Sequence, residues 1–225
     1  MTNNYLDAIE LETAPDPRFA VIWMHGLGAD GSDFVPVVPE LGLPPSPGVR
    51  FVFPHAPAIP VTCNNGYVMR AWYDILSLGG LNREVDDFGV VRSCDAVRAL
   101  IARENARGIP SERIVLAGFS QGGAIAYTAG LTHPEKLAGI IALSTYIPSL
   151  KLLDDSFSEA NRGTPVFAAH GRFDDVVAPQ LGERARDALI ERQVPVAWHS
   201  YDMPHSVCME EIGDIGTWLR ARMSA

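Results

Sequence analysis

Residues 113 to 123 read Arg113-Ile-Val-Leu-Ala-Gly118-Phe-Ser120-Gln-Gly-Gly123. The residues after Arg113 are β-branched or aliphatic, which is typical of a buried strand, and a G-x-S-x-G motif follows them directly. Small and apolar residues then continue over 120–132 and predict a closely packed helix, which His133-Pro134 ends. A strand, a sharp turn that carries Ser120 and a helix are therefore predicted in direct succession.

On either side of this stretch, short apolar runs alternate with longer segments of helical periodicity. This alternation is typical of an α/β fold with a mostly parallel sheet and helices on both faces. The predicted strands are residues 8–13, 19–24, 50–53, 113–117, 138–143, 165–169 and 194–201. The predicted helices are residues 82–107, 120–132, 179–192 and 209–223. Residues 54–80 and 145–163 receive no assignment, and long ordered loops of this kind often form lids or binding walls.

The first predicted helix carries an apolar stripe at intervals of three and four residues, which would face the sheet. The stripe consists of Val85, Phe88, Val91, Cys94, Val97 and Ile101. Cys94 is accordingly predicted to be a thiol of the core.

The composition indicates a globular protein with a large core. The chain has 225 residues, of which 47% are hydrophobic and 20% charged, and its mean hydropathy is +0.07. This length fits one α/β domain over residues 1–225. The longest nearly unbroken apolar run, residues 137–143, is far shorter than the roughly 18 residues that span a bilayer, so no membrane span is predicted. The first residues do not resemble a secretory signal, and a cytoplasmic location is expected.

Charge and cysteine content exclude several classes of protein. The net charge of −9 leaves no basic surface for nucleic acid. The three cysteines, Cys63, Cys94 and Cys208, are widely spaced, so neither a disulfide framework nor a zinc site is predicted. We expect no metal and no cofactor.

The G-x-S-x-G motif is typical of a nucleophile elbow when a strand precedes it and a helix follows. Gly118 and Gly122 lie two residues before and after Ser120, where a Cβ would collide with neighbouring chain. The backbone N–H of Gln121, at the start of the helix, would point to the position of an oxyanion. Ser120 is therefore the predicted nucleophile.

A serine hydroxyl needs an imidazole as base and a carboxylate that orients the imidazole. In this fold the chain order is Ser, then Asp or Glu, then His. His205 follows the strand predicted over 194–201 and has both the correct order and a loop position. Asp174 and Asp175 follow the strand predicted over 165–169, and position alone does not distinguish them. Asp202 is the weaker candidate because it shares a loop with His205.

His25-Gly-Leu27-Gly-Ala-Asp-Gly31 follows the strand predicted over 19–24. In an α/β hydrolase the loop after an early strand donates the second oxyanion N–H, and Leu27 is the predicted donor. The loop also contains G-x-G-x-x-G, the pattern of a dinucleotide site. That site would need a helix at the third glycine and an acidic residue about 20 positions later, and the sequence provides neither. His25 is expected to brace the turn, as is His170, which also precedes a glycine at a strand end.

Taken together, these motifs resemble the carboxylesterase/acyl-protein thioesterase (phospholipase/carboxylesterase) family of α/β hydrolases, and most closely its bacterial carboxylesterase branch. The runs that carry the resemblance are His25-Gly-Leu-Gly-Ala-Asp30, Pro54-His-Ala-Pro57, Met69-Arg-Ala-Trp-Tyr-Asp-Ile75, Gly118-Phe-Ser-Gln-Gly-Gly123, His170-Gly-Arg-Phe-Asp-Asp-Val-Val177 and Met203-Pro-His205. The resemblance implies that Asp174 is the acid of the triad, although Asp175 stands where the family often has proline. It also implies that the N–H groups of Leu27 and Gln121 form the oxyanion hole, and that Met69 and Trp72 border the acyl site.

We hypothesise that the chain is a serine esterase that cleaves short to medium acyl esters through an acyl-enzyme. The alternative is acyl-protein thioesterase or lysophospholipase activity, since the resemblance implies action on acylated proteins for some members. Two further alternatives are a non-catalytic acyl-binding protein on the same fold and a hydrolase that uses Cys63 or Cys208. Family precedent and apolar loops favour a homodimer. Residues that could wall an acyl groove are Ile59, Val61, Met69, Trp72, Leu76, Leu78, Ile147, Leu150, Leu152 and Leu153.

Overall fold

A computed structural model describes residues 5–223, which contain eleven strands, five α-helices and four short 3-10 segments. The strands are β1 (Ala8–Glu12), β2 (Phe19–Met24), β3 (Val49–Pro54), β4 (Ala58–Val61), β5 (Tyr67–Arg70), β6 (Ile75–Gly79), β7 (Asn82–Val85), β8 (Ile114–Phe119), β9 (Gly139–Leu143), β10 (Val166–Gly171) and β11 (Val196–Tyr201). The helices are α1 (Asp87–Ala106), α2 (Gln121–Leu131), α3 (Leu150–Ser156), α4 (Pro179–Glu191) and α5 (Met209–Met223). The 3-10 segments are Val35–Leu41, Thr62–Asn64, Ser111–Arg113 and Glu159–Asn161.

Seven strands form one sheet in the order β1-β3-β2-β8-β9-β10-β11. Strand β1 pairs antiparallel to β3, and every other neighbouring pair in this sheet is parallel. The predicted mostly parallel sheet is confirmed. Because parallel strands end at the same edge, the loops after β2, β8, β10 and β11 emerge together. These four loops carry all the predicted catalytic and oxyanion residues.

Successive residues of the central strands enter hydrophobic cores on opposite faces of the sheet. In β2, Ile22 packs into the core that contains residues of α1, α2, α3 and α4. Its neighbours Val21 and Trp23 pack into the core beneath α5 and the segment Val35–Leu41. Apolar residues on both faces explain the unbroken hydrophobic runs, as expected for strands covered by helices on either side.

The prediction of a helix over residues 82–107 is wrong at its start. Asn82–Val85 is strand β7 and forms an antiparallel hairpin with β6. The helix begins at Asp87 because the Asp86 side chain accepts a hydrogen bond from the Phe88 amide and so caps the first turn. Phe88 is 84% exposed and Val91 is also exposed, whereas Cys94 is buried as predicted.

The two stretches without an assignment contain regular structure. Residues 54–80 include β4 and β5, which form a small antiparallel sheet, and β6, the first strand of the second hairpin. Residues 145–163 include the short helix α3. Within residues 5–223, no helix is both long and apolar enough to span a bilayer.

Candidate active site

Ser120 occupies a strained turn between β8 and α2. Its φ of 54° and ψ of −120° lie in a region that residues with a side chain rarely adopt. The Ser120 amide donates to the carbonyl of Leu143 at 2.8 Å. Its own carbonyl accepts from the Ala124 amide at 3.1 Å and from the Thr145 hydroxyl at 2.6 Å. These three hydrogen bonds hold the turn in a conformation that lifts the serine side chain above the sheet edge.

The glycines on either side of Ser120 are required by close backbone contacts, as the motif predicts. A Cβ on Gly118 would lie 2.2 Å from the carbonyl oxygen of Gly122. A Cβ on Gly122 would lie 2.3 Å from the carbonyl oxygen of Met24, at the end of β2. The elbow therefore packs directly against the strand that leads into the predicted oxyanion loop.

Asp174 and His205 meet through their side chains, with His205 Nδ1 2.7 Å from Asp174 Oδ2. The other carboxylate oxygen, Oδ1, accepts the amides of Val176 at 3.0 Å and Val177 at 2.7 Å. Burial opposes ionisation of Asp174. Hydrogen bonds from His170, His205 and the Val177 amide outweigh that effect and hold the pKa of this carboxyl well below its usual value.

The loops after β10 and β11 are joined by backbone contacts that bring the acid and the base together. The amides of Arg172 and Phe173 donate to the carbonyls of Tyr201 and Met203 at 2.8 and 3.1 Å. A Cβ on Gly171 would lie 2.4 Å from the Met203 carbonyl oxygen, so only glycine permits this approach.

The other two aspartates considered as the triad acid lie elsewhere. Asp175 is exposed and lines the cavity beside the site. Asp202 forms an ion pair with Arg172 at 2.5 Å. Of the three candidates, Asp174 is the one that contacts His205.

Ser120 and His205 line the same cavity, whose volume is about 530 Å³. The Phe119 ring lies beside the imidazole, with ring centroids 4.7 Å apart. Gly26, Leu27 and Gln121 line the cavity as well. Gln121 is the first residue of α2, and amides of the first helical turn have no acceptor within their helix. The predicted nucleophile, base and oxyanion residues thus share one cavity.

The oxyanion loop is braced from behind by His25 and Arg70. Gly28 adopts a φ of +79° and its amide donates to the Arg70 carbonyl at 2.8 Å. His25 Nδ1 lies 2.7 Å from the Gly26 carbonyl oxygen, to which it must donate, while Nε2 accepts the Ala56 amide at 3.1 Å. Burial lowers the pKa of His25, in keeping with a neutral ring in this position. His25 therefore braces the turn, as predicted.

The Gln121 side chain attaches the segment before β6 to the start of α2. Its Oε1 accepts the Trp72 amide and its Nε2 donates to the Tyr73 carbonyl, both at 2.7 Å. The Trp72 indole N–H donates to the His25 carbonyl at 2.9 Å. No sequence pattern indicates this arrangement, because the motif requires only the backbone N–H of residue 121.

The resemblance implies that Met69 and Trp72 border the acyl site, but neither residue lines the cavity. Trp72 is 2% exposed, because its ring packs beneath the oxyanion loop, where its N–H satisfies a buried carbonyl. Met69 is half-buried, with its sulfur 3.5 Å from Nδ2 of Asn64, a residue that lines the cavity. Trp72 therefore supports the oxyanion loop, and Met69 contacts a residue of the cavity wall.

Several residues that line the cavity lie outside the motifs of the sequence. They are Asp33, Cys63, Asn64, Gly80, Arg83, Tyr146 and Ala178. Of the apolar residues proposed for an acyl groove, Leu78 lines this cavity. Val61 and Leu153 are fully buried instead. No group of three or more potential metal ligands occurs among the side chains of residues 5–223.

Comparisons with known proteins find similar sequences and structures over most of the chain. The sequence profile of the phospholipase/carboxylesterase family matches residues 8–223. A protein named acyl-protein thioesterase 1 from Cryptococcus neoformans is 41% identical over 215 residues, covering 88% of this chain and 90% of that protein. One of the same name from Neurospora crassa is 42% identical over 215 residues, covering 90% and 86%. The crystal structure of Arabidopsis thaliana SOBER1 matches with a TM-score of 0.87 and 32% identity, covering 92% of this chain and 99% of that one.

These relatives come from fungi and a plant, and the two fungal ones are named as thioesterases. They support the family that the motifs resemble. They do not support the bacterial carboxylesterase branch within it.

Proposed function

Because the chain belongs to the phospholipase/carboxylesterase family, we propose that it is a serine hydrolase that cleaves carboxylic esters or thioesters with Ser120, His205 and Asp174. The observation that carries this proposal is the 2.7 Å hydrogen bond between Asp174 and His205, beside the cavity that both His205 and Ser120 line. A buried carboxylate that orients an imidazole, in a cavity that a serine on a strained turn also lines, supports activation of the serine hydroxyl by the imidazole.

In the proposed reaction, Ser120 Oγ attacks the acyl carbonyl carbon and His205 Nε2 accepts the hydroxyl proton. Nε2 is the free ring nitrogen because Nδ1 is bound to Asp174. The tetrahedral oxyanion accepts hydrogen bonds from the N–H groups of Leu27 and Gln121. The imidazolium then protonates the leaving alcohol or thiol as the C–O or C–S bond breaks, and the acyl-enzyme remains.

Water completes the cycle on the same residues. His205 Nε2 removes a proton from the attacking water, a second tetrahedral intermediate forms, and the proton returns to Ser120 Oγ as the acid is released. Asp174 stays ionised throughout, since its pKa is held well below neutrality, and its charge stabilises the imidazolium that forms twice.

Short to medium acyl esters fit a cavity of about 530 Å³ with apolar residues such as Leu27, Ile75 and Leu78 in its wall. Acyl-protein thioesters are the second candidate substrate, because the fungal relatives are named for that activity. Lysophospholipids are a further alternative within the family. A cytoplasmic location and a homodimer, both expected from the sequence, stay predictions.

Labelling with a fluorophosphonate probe tests the proposal directly. We expect one adduct per chain, located on Ser120 by peptide mapping, and no adduct in Ser120→Ala. His205→Ala and Asp174→Asn should be labelled much more slowly. An unlabelled wild-type enzyme would favour a non-catalytic acyl-binding protein, and an adduct on Cys63 or Cys208 would favour a cysteine hydrolase.

The substrate class is tested by comparing p-nitrophenyl butyrate with a peptide that carries an S-acyl cysteine. The esterase proposal predicts a higher kcat/KM for the ester, and the thioesterase alternative predicts the reverse. Ser120→Ala serves as the control for both, because it should abolish the two activities together.

A further inference from the structure

A second cavity of about 170 Å³ lies beside the catalytic one. Its wall includes Leu81, Ile147, Leu150 and Leu181, which are apolar. Tyr146 lines both cavities and is 4% exposed. Its hydroxyl is 3.0 Å from that of Tyr73, a fully buried residue, so the Tyr146 ring is fixed in place. The two cavities are therefore neighbours on either side of one aromatic ring.

Arg83 lies at this boundary. It belongs to β7 and lines the catalytic cavity. Its guanidinium carbon lies 5.1 Å from the centroid of the Tyr146 ring, a cation–π distance. The guanidinium also donates to the carbonyl of Val176, on the loop that follows β10 and carries Asp174. Arg83 thus connects the β6–β7 hairpin to the triad-acid loop across the ring that the cavities share.

The walls of the two cavities combine apolar residues with charged ones, among them Asp175 and Arg184. Leu78 and Ala178 line the catalytic cavity, and Ile147 and Leu181 line the second one. An alkyl chain that followed these four apolar residues would meet the guanidinium that rests on the Tyr146 ring and the Val176 carbonyl. Among the described residues, Arg83 Nε is buried without a hydrogen-bond partner, so this side chain is not fully satisfied where it lies.

We propose that Arg83 limits the length of the acyl chain that the enzyme accepts, by closing the passage from the catalytic cavity to the second cavity. The proposal rests on the proposed function, since it concerns the acyl group that Ser120 would receive. A short chain ends within the catalytic cavity. A longer chain would displace the guanidinium, which would then lose its hydrogen bond to Val176 and its contact with the Tyr146 ring. The additional methylenes of the longer chain therefore add less to kcat/KM than their burial alone would contribute.

The test compares p-nitrophenyl esters of four to twelve carbons, at concentrations below aggregation, in the wild-type enzyme and in Arg83→Ala. Each methylene that enters an apolar site contributes about fourfold to kcat/KM. We expect the ratio of kcat/KM for the twelve-carbon ester to that for the four-carbon ester to rise at least tenfold in the variant. Arg83→Met, which keeps a long side chain without its hydrogen bonds, should raise the ratio in the same direction.

Glu84→Ala is the matched control. Glu84 follows Arg83 in β7, is exposed and is not among the residues that line the two cavities. We expect its ratio to stay within twofold of the wild-type value. An equal rise in Glu84→Ala would attribute the effect to a general disturbance of β7 and overturn the proposal, as would an unchanged ratio in both Arg83 variants.

Ethyl and dodecyl fluorophosphonates separate this inference from the proposed function. If the ethyl probe does not label wild-type Ser120, the proposed function fails. If the ethyl probe labels it but Arg83→Ala gains no rate with the dodecyl probe, only the role of Arg83 fails. A crystal structure of dodecyl-phosphonylated Arg83→Ala is expected to show the chain against Ile147 and Leu181, and a chain directed to solvent would contradict the proposal.

Discussion

His170 places its Nε2 atom 3.3 Å from Oδ2 of Asp174, the oxygen that also contacts His205. The same nitrogen is 2.8 Å from the Val177 carbonyl oxygen, which can only accept, so Nε2 carries a proton. A Cβ on Gly182 would lie 2.3 Å from His170 Nδ1, so helix α4 packs directly against the ring. The acid of the proposed triad is therefore held by two imidazoles, one of which faces no solvent.

Removing His170 should weaken the orientation of Asp174 without touching the substrate. We expect His170→Ala to lower kcat about 10- to 100-fold with little change in KM, since a lost hydrogen bond to a charged group costs about 1.5–3 kcal/mol. Gly182→Ala, which pushes on the same ring, should also lower kcat with little change in KM. A raised KM with an unchanged kcat would contradict the role of His170 in orienting Asp174.

The elbow glycine Gly122 should tolerate no side chain. A Cβ there would overlap the Met24 carbonyl oxygen, and forced overpacking of this kind costs about 1–3 kcal/mol. We expect Gly122→Ala to lose that much free energy of unfolding in urea, together with fluorophosphonate labelling. Gly213→Ala is the control, because Gly213 lies inside α5 with no atom within 4 Å of an added Cβ. That variant should gain about 0.5–1 kcal/mol, and equal losses in both variants would contradict the steric argument.

Gln121 should be needed for its side chain as well as for its backbone. In Gln121→Glu a carboxylate oxygen replaces the amide nitrogen and faces the Tyr73 carbonyl at the 2.7 Å contact. Two acceptors then oppose each other in a buried position, which costs about 1–3 kcal/mol. We expect that loss in urea unfolding, and slower labelling of Ser120 because the loop behind the oxyanion site shifts. Thr128→Val, elsewhere on the buried α2, serves as the control: it should leave labelling unchanged, and a labelling loss of equal size would show that any disturbance of α2 suffices.

The sequence predicted those parts of the molecule in which the proposed chemistry requires particular residues at short, fixed spacings. The strand before Ser120, the glycines beside it and the chain order of Asp174 and His205 all follow from steric and chemical requirements that act over a few residues. The structure brings Asp174 into contact with His205, as the motifs implied. The unbroken apolar strands correctly predicted a sheet with helices on both faces.

The remaining cavity wall could not be predicted, because it depends on tertiary contacts. Val85 continues the apolar spacing of α1, yet Asn82–Val85 pairs with β6, and the helix begins only after the Asp86 cap. Trp72 lies in a family motif, but the need to satisfy the His25 carbonyl buries its ring behind the site. Arg83 and Tyr146 are distant in sequence and meet only after the hairpin folds over the sheet edge.

Glu211 should make the protein less stable as the pH rises. It is fully buried in the first turn of α5, and burial raises its pKa to about 8, an effect that the nearby Cys208 amide opposes only in part. Between pH 4.5, its ordinary pKa, and pH 8, the unfolded chain releases this proton while the folded chain keeps it. The unfolded state then binds fewer protons, so the free energy of unfolding falls as the pH rises, by at most about 1.4 kcal/mol per pH unit.

In Glu211→Gln this contribution is absent, and urea unfolding from pH 5 to 8 should show a shallower decline in the free energy of unfolding than in the wild-type protein. Glu210→Gln, which removes an exposed carboxylate from the same turn, should retain the wild-type slope; parallel curves for wild type and Glu211→Gln would show that this carboxyl ionises normally in the folded state.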